Sequence, residues 1–551
     1  AQAEALGSTQ LLDALAQRWS SEQDETVRSA ALRTLATVGG QAHTEPLLEQ
    51  LSRVSQPLRQ GIMVGLLRSG ELAGILAVGA QLATLVQSSV VADRIFAAQV
   101  LGESGVAGFY RPLLQLLHDP IPTVRRAALE AAGKLQQPKL WPVVVDALAV
   151  TATRSAAQLA LIAGGASTLP ALIAGWATAD QPAVRMALAR SCGRLRSTEA
   201  AQFLLTALDD PDIAVRTHLL AALQQCGYHA APADHPRLEA AITAELTHAA
   251  WLLAALVDLA DAPDLPLVQE ALKASLYQQQ GRLLLWLGLL YDAAILRRVR
   301  DTFVQAATIG GSSQAEQRAY ALETLDLVIT HKFKAPLLTL FDDQPPITKL
   351  TALTALAPQP HLDAAARLQT IRAGAPFWFT PWLYATALYY TTTADKETLP
   401  MLLTVEKVMI LKTVDLFAHA PAEILMEIAG LLQEIAVPAG ATIFTQGEAG
   451  DSMYIIAEGE VEALDGDQVF TRMGERQVFG EMALLDGGPR TATIRATQTT
   501  QLLRLDQEPF YELMDDRIEI ARGVIRVLLQ RLRARTNDVY QLQAQLSALG
   551  N

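Results

Sequence analysis

Between about residue 25 and residue 225, small and apolar residues recur in a register marked by arginines. The arginines stand at 28, 59, 94, 125, 154, 185 and 216, with spacings of 31, 35, 31, 29, 31 and 31. Seven residues after them come Leu35, Leu101, Ala132, Leu161, Cys192 and Leu223; eight residues after Arg94, Arg125 and Arg185 come Gly102, Gly133 and Gly193. The Arg-x-x-Ala-x-x-x-Leu spacing puts small and apolar residues on one helix face. Asp119-Pro120…Val124-Arg125 is matched by Asp180…Val184-Arg185 and by Asp209-Asp210-Pro211…Val215-Arg216. Asp caps free helix N–H groups and Pro suits the first turn, so these segments read as helix starts. One such hairpin cannot bury its apolar face alone. Stacked neighbours can, and the pattern predicts an α-α superhelical solenoid.

The register decays after Arg216. Arg282, Arg318 and Lys349 are candidates for its continuation, and Trp251, Trp286, Trp378 and Trp382 add bulk. The solenoid is expected to run to about Pro400, where Thr391–Glu397 reads as a polar loop. Val405–Leu411 and Pro421–Leu432 then read as helices. Glu434–Leu505 reads as short strands punctuated by Gly440, Gly447, Gly450, Gly459, Gly466, Gly474 and Gly480, a pattern that suggests a β-roll or barrel. Asp506–Leu549 returns to helix. The expected fold is mainly α with a C-terminal α+β part: residues 1–400 a solenoid, and residues 401–551 a roll with flanking helices.

With 551 residues the chain is too long for one core. A formal net charge of −13 disfavours nucleic acid as a partner. For the arginine ladder, an anion track competes with an Asp–Arg ladder that locks repeats together, and the acidic balance favours the second. Cys192 and Cys226 lack partners at metal-ligand spacing, which points to a reduced, cytoplasmic setting. Cys192 stands in the Leu slot and reads as core. Leu72–Ala92 and Ser155–Ala179 carry no charge; two buried helices with a turn between them account for each better than a membrane span. The nine histidines are scattered, and no kinase, cyclase or phosphodiesterase motif is present.

The repeat resembles HEAT repeats of the short bacterial type that also occurs in phycobilin lyases. Farther on, Phe479-Gly480-Glu481-Met482-Ala483-Leu484-Leu485-Asp486-Gly487-Gly488-Pro489-Arg490-Thr491-Ala492 resembles the phosphate-binding cassette of cyclic-nucleotide-binding domains. Pro438–Ile456 and Gly459-Glu460-Val461 resemble the same family's first strands. The resemblance implies these roles. Arg490 offers a charged planar fork to the two exocyclic phosphate oxygens. Glu481 accepts from the ribose 2′-hydroxyl. Gly480 lets the backbone approach the sugar, and Ala483 and Ala492 lend backbone groups. Met482 and Thr491 complete the expected site. A short helix over Leu484–Gly487 is expected to face phosphate. Thr491 is compatible with cGMP, while cAMP is the default in bacteria. Asp516–Arg535 reads as a helix that either covers the base or packs elsewhere, with Tyr540 and Leu542 as caps beyond it.

The sequence leaves no room after that helix for the helix-turn-helix module of bacterial transcription factors of this family. Val405–Phe417, directly after a helical segment, resembles the junction in bacterial ATP/ADP-translocase-like proteins, where a membrane domain precedes HEAT repeats and a cyclic-nucleotide domain. A first residue of Ala fits a part cut from such a protein. The expected function is a non-catalytic sensor of cAMP, with cGMP as the alternative, needing no metal or cofactor. Its expected partners are the cyclic mononucleotide and a protein or transporter domain on the solenoid. The expected setting is cytoplasmic, including the cytoplasmic part of a membrane protein. The alternatives are an interaction scaffold with a degenerate pocket, or a bilin-lyase-like enzyme.

Overall fold

A computed structural model describes residues 15, 19, 22–308, 312–329, 331–374, 379–391, 400–418, 420–466, 468–516, 520–521, 523–525, 527–529, 533 and 536. Tyr540 and Leu542 lie outside the described residues. Packing divides the chain into two compact units, Ala1–His229 and Ala230–Asn551.

In the first unit each ladder arginine is the fourth residue of its helix. The helices are Glu25–Val38, Gln56–Ser69, Val91–Ser104, Pro122–Leu135, Thr151–Gly164, Pro182–Leu195 and Ile213–Gln225. Each packs on the next in the series. The glycine eight residues past the arginine explains how closely. A Cβ on Gly102 would lie 2.6 Å from the Ala131 Cα, and one on Gly193 would lie 2.8 Å from the Ala222 Cα. Helix interiors disfavour glycine, and here close backbone packing offsets that cost.

The arginines are used locally. Arg94, Arg125, Arg154, Arg185 and Arg216 donate to the carbonyls of Ser88, Asp119, Leu148, Ala179 and Asp210, each six residues back, at 2.7–2.8 Å. Arg94 also grips Asp119 with two nitrogens, at 2.6 and 3.2 Å, and Arg185 pairs with Asp210 at 2.7 Å. These carboxylates are not the N-caps that the sequence predicts; the N-caps are Ile121 and Asp212. They turn their own loops by accepting from the N–H two residues on, Ile121 or Asp212, at 2.9 Å. At the intervening rungs, Val150 and Ala179 occupy the equivalent places. Five of the arginines therefore fasten the loop that leads into their own helix, and two of them, Arg94 and Arg185, also reach the next repeat through a carboxylate.

The uncharged stretches also resolve. Thr151–Thr178 is long and apolar enough to cross a membrane by length and composition, as is His235–Asp258. The first is broken at Gly165, φ +59°, into helices Thr151–Gly164 and Leu169–Thr178. Leu72–Val86 is one helix whose Leu72 and Leu76 are exposed, so it is not buried all round as expected. Cys192 is fully buried and its thiol is pushed up to about 12, chiefly by burial, in keeping with a core residue.

The second unit changes period. Its first helices, His235–Asp258 and Pro266–Leu290, have 24 and 25 residues. Arg282 sits deep in the second helix and pairs with Glu245, so it does not continue the ladder. Arg367, fourth residue of Ala364–Ala373, holds the equivalent place instead: it bonds Asp258 and the Pro360 carbonyl under the Trp251 ring.

After helices Pro400–Thr413 and Ala422–Leu431 come eight strands: β1 (Gln433–Val437), β2 (Thr442–Phe444), β3 (Ser452–Glu458), β4 (Val461–Asp465), β5 (Gln468–Met473), β6 (Val478–Phe479), β7 (Thr493–Ala496) and β8 (Thr500–Asp506). They form two antiparallel four-stranded sheets, β1-β8-β3-β6 and β2-β7-β4-β5. Tyr454, Ile456 and Leu502 fill the space between the sheets with Phe444, Phe479, Ala492 and Ile494. The opposite faces of β3 and β8, Met453, Ile455, Leu503 and Leu505, pack outward into a second core. Strand β3 is buried on both sides, which is why Met453–Ile456 is a continuous apolar run rather than an alternating one. The second core also takes in Leu484, Leu425, Ile428, Val405, Val408, Trp382 and Leu252. The change from helices to strands near residue 400 therefore does not interrupt the packing of this unit.

Candidate functional site

The site lies where β6 ends. Gly480 takes φ +74° and caps a helix, Glu481–Asp486, which Gly487 ends at φ +65°. The short helix expected over Leu484–Gly487 thus starts three residues earlier, because the left-handed turn at Gly480 already reverses the strand. A Cβ on Gly480 would meet the Arg490 Nη1 at 2.7 Å, so the position needs both the positive φ and the missing side chain.

Arg490 is held from both ends. Its backbone N–H donates to the Glu448 carbonyl and its carbonyl accepts from Gly447, each at 2.8 Å. The guanidinium turns inward. Nη1 donates to the Ser452 carbonyl at 2.7 Å and, at a longer 3.5 Å, to that of Gly480, while Nη2 donates to the Ser452 Oγ at 3.0 Å. The Phe444 ring lies 4.1 Å from the guanidinium carbon and Tyr454 5.9 Å. Arg490 is only 6% exposed, and its buried Nε has no hydrogen-bond partner among the described residues. Nor does any carboxylate there form an ion pair with it. Burial lowers the guanidinium pKa below its usual value, while Tyr454, Asp451 and Glu448 pull the other way.

The remaining expected residues divide. Ala483 is buried beside Gly450, and Glu481 is half-buried at the start of the helix. Met482 and Thr491 are exposed, and Ala492 sits in the core between the sheets. Gln507 fastens the cassette helix by donating to the Ala483 and Leu484 carbonyls at 3.2 and 3.1 Å, and the Tyr511 hydroxyl donates to that of Leu485. The following helix, Gln507–Asp516, is thereby tied to the cassette. Of Asp516–Arg535, the described positions beyond 516 are helical; Ile520, Val524 and Val527 are buried, and Ile525, Leu528 and Leu529 exposed. Sequence reasoning missed Phe444, Ser452 and Gly450 as parts of the site. Their only signal was membership of the strand segment that resembles the family. A groove of about 390 Å³ lies elsewhere, between helix Pro400–Thr413 and β1, β3 and β8, lined by Glu406, Lys407, Ile410 and Glu434 among others; Arg490 is not part of it.

Residues 434–517 match the cyclic nucleotide-binding domain family, and residues 80–163, 151–224 and 169–245 match HEAT repeats. The chain carries HEAT repeats and a C-terminal cyclic nucleotide-binding domain. A CRP-like cAMP-activated global transcriptional regulator of Mycobacterium tuberculosis is 36% identical over 116 residues, 20% of this chain and 52% of that protein. A cyclic nucleotide-gated potassium channel of Rhizobium etli is 39% identical over 118 residues, 21% of this chain and 33% of that protein. The chain thus spans about half or less of the length of these curated relatives. Among solved structures, the Thermus thermophilus catabolite activator protein shares 30% identity at a TM-score of 0.22, over 23% of this chain and 63% of that one. The regulatory domain of Toxoplasma gondii PKA with cAMP shares 26% at 0.20, over 22% of this chain and 47% of that one. The Phe479–Ala492 cassette and Arg490 fall inside the matched cyclic nucleotide-binding domain.

Proposed function

We propose that residues 401–551 hold a cyclic mononucleotide without reacting with it, and that the helices before them, to residue 400, relay or present the result to a protein partner. Arg490 receives the cyclic phosphate, Gly480 and Glu481 the ribose, and Ala483 and Ala492 lend backbone groups. Met482 and Thr491 border the ligand. cAMP is the default ligand, with cGMP the alternative that Thr491 permits; the cAMP-activated regulator and the cyclic nucleotide-gated channel support this class of ligand. One observation carries the reading: a buried cation with an unbonded Nε and no carboxylate partner among the described residues. Burying an unpaired charge is costly, and an anion brought to that place relieves the cost. Titration calorimetry with cAMP and cGMP should show one site per chain. No heat from either, at protein concentrations that detect micromolar affinity, would leave the scaffold reading.

Relay is supported by the shared core, in which Leu484 of the cassette helix, Leu425 and Val408 belong to one cluster with Trp382. A ligand moves such a system only as far as it favours one arrangement over another. Saturating nucleotide should change hydrogen-exchange protection in Pro400–Thr413 and in residues 379–388. Protection confined to Gly480–Ala492 would indicate binding without output. The partner we propose is a protein or a transporter-like membrane domain, with the chain on the cytoplasmic side.

A further inference from the structure

Arg490 has four neighbours that fix its plane, and one of them is an aromatic face. Ser452 takes one hydrogen of each terminal nitrogen. Gly450 and Gly480 close two other sides, since a Cβ on either would come within 2.8 Å of the guanidinium nitrogens. The Phe444 ring faces the guanidinium, 4.1 Å from its carbon. Phe444 is itself fixed: it ends β2 opposite Ile494, and its ring packs 5.9 Å from Tyr454 and 5.8 Å from Phe479. No carboxylate is paired to Arg490 among the described residues, and the negative face of this ring lies directly against the cation, nearer than the Tyr454 ring at 5.9 Å.

We infer that Phe444 is a positioning residue for the phosphate contact, holding the guanidinium ready for an anionic oxygen; this rests on the nucleotide-site reading above. An aliphatic side chain at 444 would fill much of the same space but present no π face. The guanidinium would then have to be ordered at the moment of binding, a cost a preorganised site avoids. Phosphorothioate diastereomers of cAMP separate positioning from mere core filling. Sulfur replaces one exocyclic oxygen or the other, and it accepts hydrogen bonds poorly. The ratio of their affinities therefore reports how Arg490 is aimed.

The experiment measures cAMP and its Sp and Rp phosphorothioates against the full chain, wild type and Phe444→Leu, Phe444→Tyr and Arg490→Ala. Phe444→Leu should lose about tenfold in cAMP affinity, and its Sp/Rp ratio should move toward that of Arg490→Ala. Phe444→Tyr, which keeps the ring, should keep both. Phe444→Met, closer in volume to Phe, replaces Phe444→Leu if the latter does not fold. Wild-type binding with an unchanged ratio in Phe444→Leu overturns this inference alone. Absence of any binding by wild type overturns the nucleotide reading, and this inference with it.

Discussion

The helical part and the roll both bury arginines, and they treat them oppositely. Arg367 is 1% exposed and Arg490 6%, and each lies against an aromatic ring. Arg367 bonds Asp258, whose side chain is 2% exposed, and the Pro360 carbonyl. Arg94 and Arg185 of the repeats likewise meet Asp119 and Asp210. In these places charge is matched within the chain, and the arginine joins one helix to the next. Arg490 meets a ring, a serine and carbonyls, and its Nε bonds nothing among the described residues. A matched arginine has little left to offer an outside anion. An unmatched one in a dry setting is a standing electrostatic debt that a ligand can settle. Sequence pattern alone puts all of them under the same letter.

The comparison breaks first at the matched pair. Asp258→Ala leaves Arg367 buried without its carboxylate, and removal of one partner of a buried pair costs about 3–5 kcal/mol. Denaturant unfolding should show that loss, with cAMP affinity close to wild type. A loss within about 0.5 kcal/mol, the range of an ordinary surface change, would mean that the pair is not a structural joint. Arg490→Ala should do the reverse. Charged hydrogen bonds are worth about 1.5–3 kcal/mol, so affinity should fall roughly tenfold to a hundredfold. Because the variant removes an unpaired buried cation, stability should hold or rise. Arg490→Ala that unfolds the roll while sparing affinity would make Arg490 a structural residue like Arg367.

A smaller effect separates the two regions by their glycines. Gly102→Ala puts a methyl 2.6 Å from the Ala131 Cα, and the neighbouring helix has to move. Overpacking, partly offset by the better helix propensity of alanine, should cost about 1–2 kcal/mol. The change should appear in unfolding of the repeats and leave nucleotide affinity unaltered.

How much of this was legible follows from which interactions leave a trace in sequence. The arginine register located the stacked helices because hairpins of fixed length repeat the same contact; the glycines after Arg94, Arg125 and Arg185 recurred in it, but that they mark close backbone packing came from the structure. The register loosened beyond Arg216, where helices of 24 and 25 residues abandon the period; Arg282 was drawn into the ladder and Arg367 missed, while Arg318 does pair with Asp343, the spacing of the earlier rungs, and Lys349 is the fourth residue of its helix. The cassette was legible as an ordered string of residues, though not the contact of Gly480 with Arg490, since the string assigned Gly480 only to the sugar. What the string could not supply was Phe444 and Ser452, which come from β2 and β3 and reach the site only through sheet pairing. The shared core around Leu484 and Trp382 was invisible for the same reason. Apolar residues report burial but not against what.

The smallest expected effect concerns a carboxyl at the seam of that shared core. Glu423, on helix Ala422–Leu431, has its pKa raised above the usual 4.5, chiefly by burial and also by Glu270; its own backbone N–H, Gln278 and Lys412 act in the opposite direction. Its Oε1 is buried without a partner among the described residues, and Lys412 bonds Glu270. Below pH 4.5 the carboxyl is protonated folded and unfolded, and it costs nothing. As pH rises past that value the unfolded chain releases the proton while the folded chain keeps it. Stability is therefore lost progressively until the raised folded value is passed, and is constant above it. Glu423→Gln, the neutral amide of the same shape, should remove this dependence. Its unfolding midpoint relative to wild type should rise from pH 4 to pH 7, and a difference independent of pH would mean that Glu423 is already ionised in the folded chain. The same group sharpens the contrast with Arg490. If nucleotide shifts helix Ala422–Leu431 against Pro266–Leu290, the environment of Glu423 changes and binding takes up or releases a fraction of a proton. Titration in two buffers of different ionisation heat would detect it in wild type, and Glu423→Gln should lose that component while keeping its affinity.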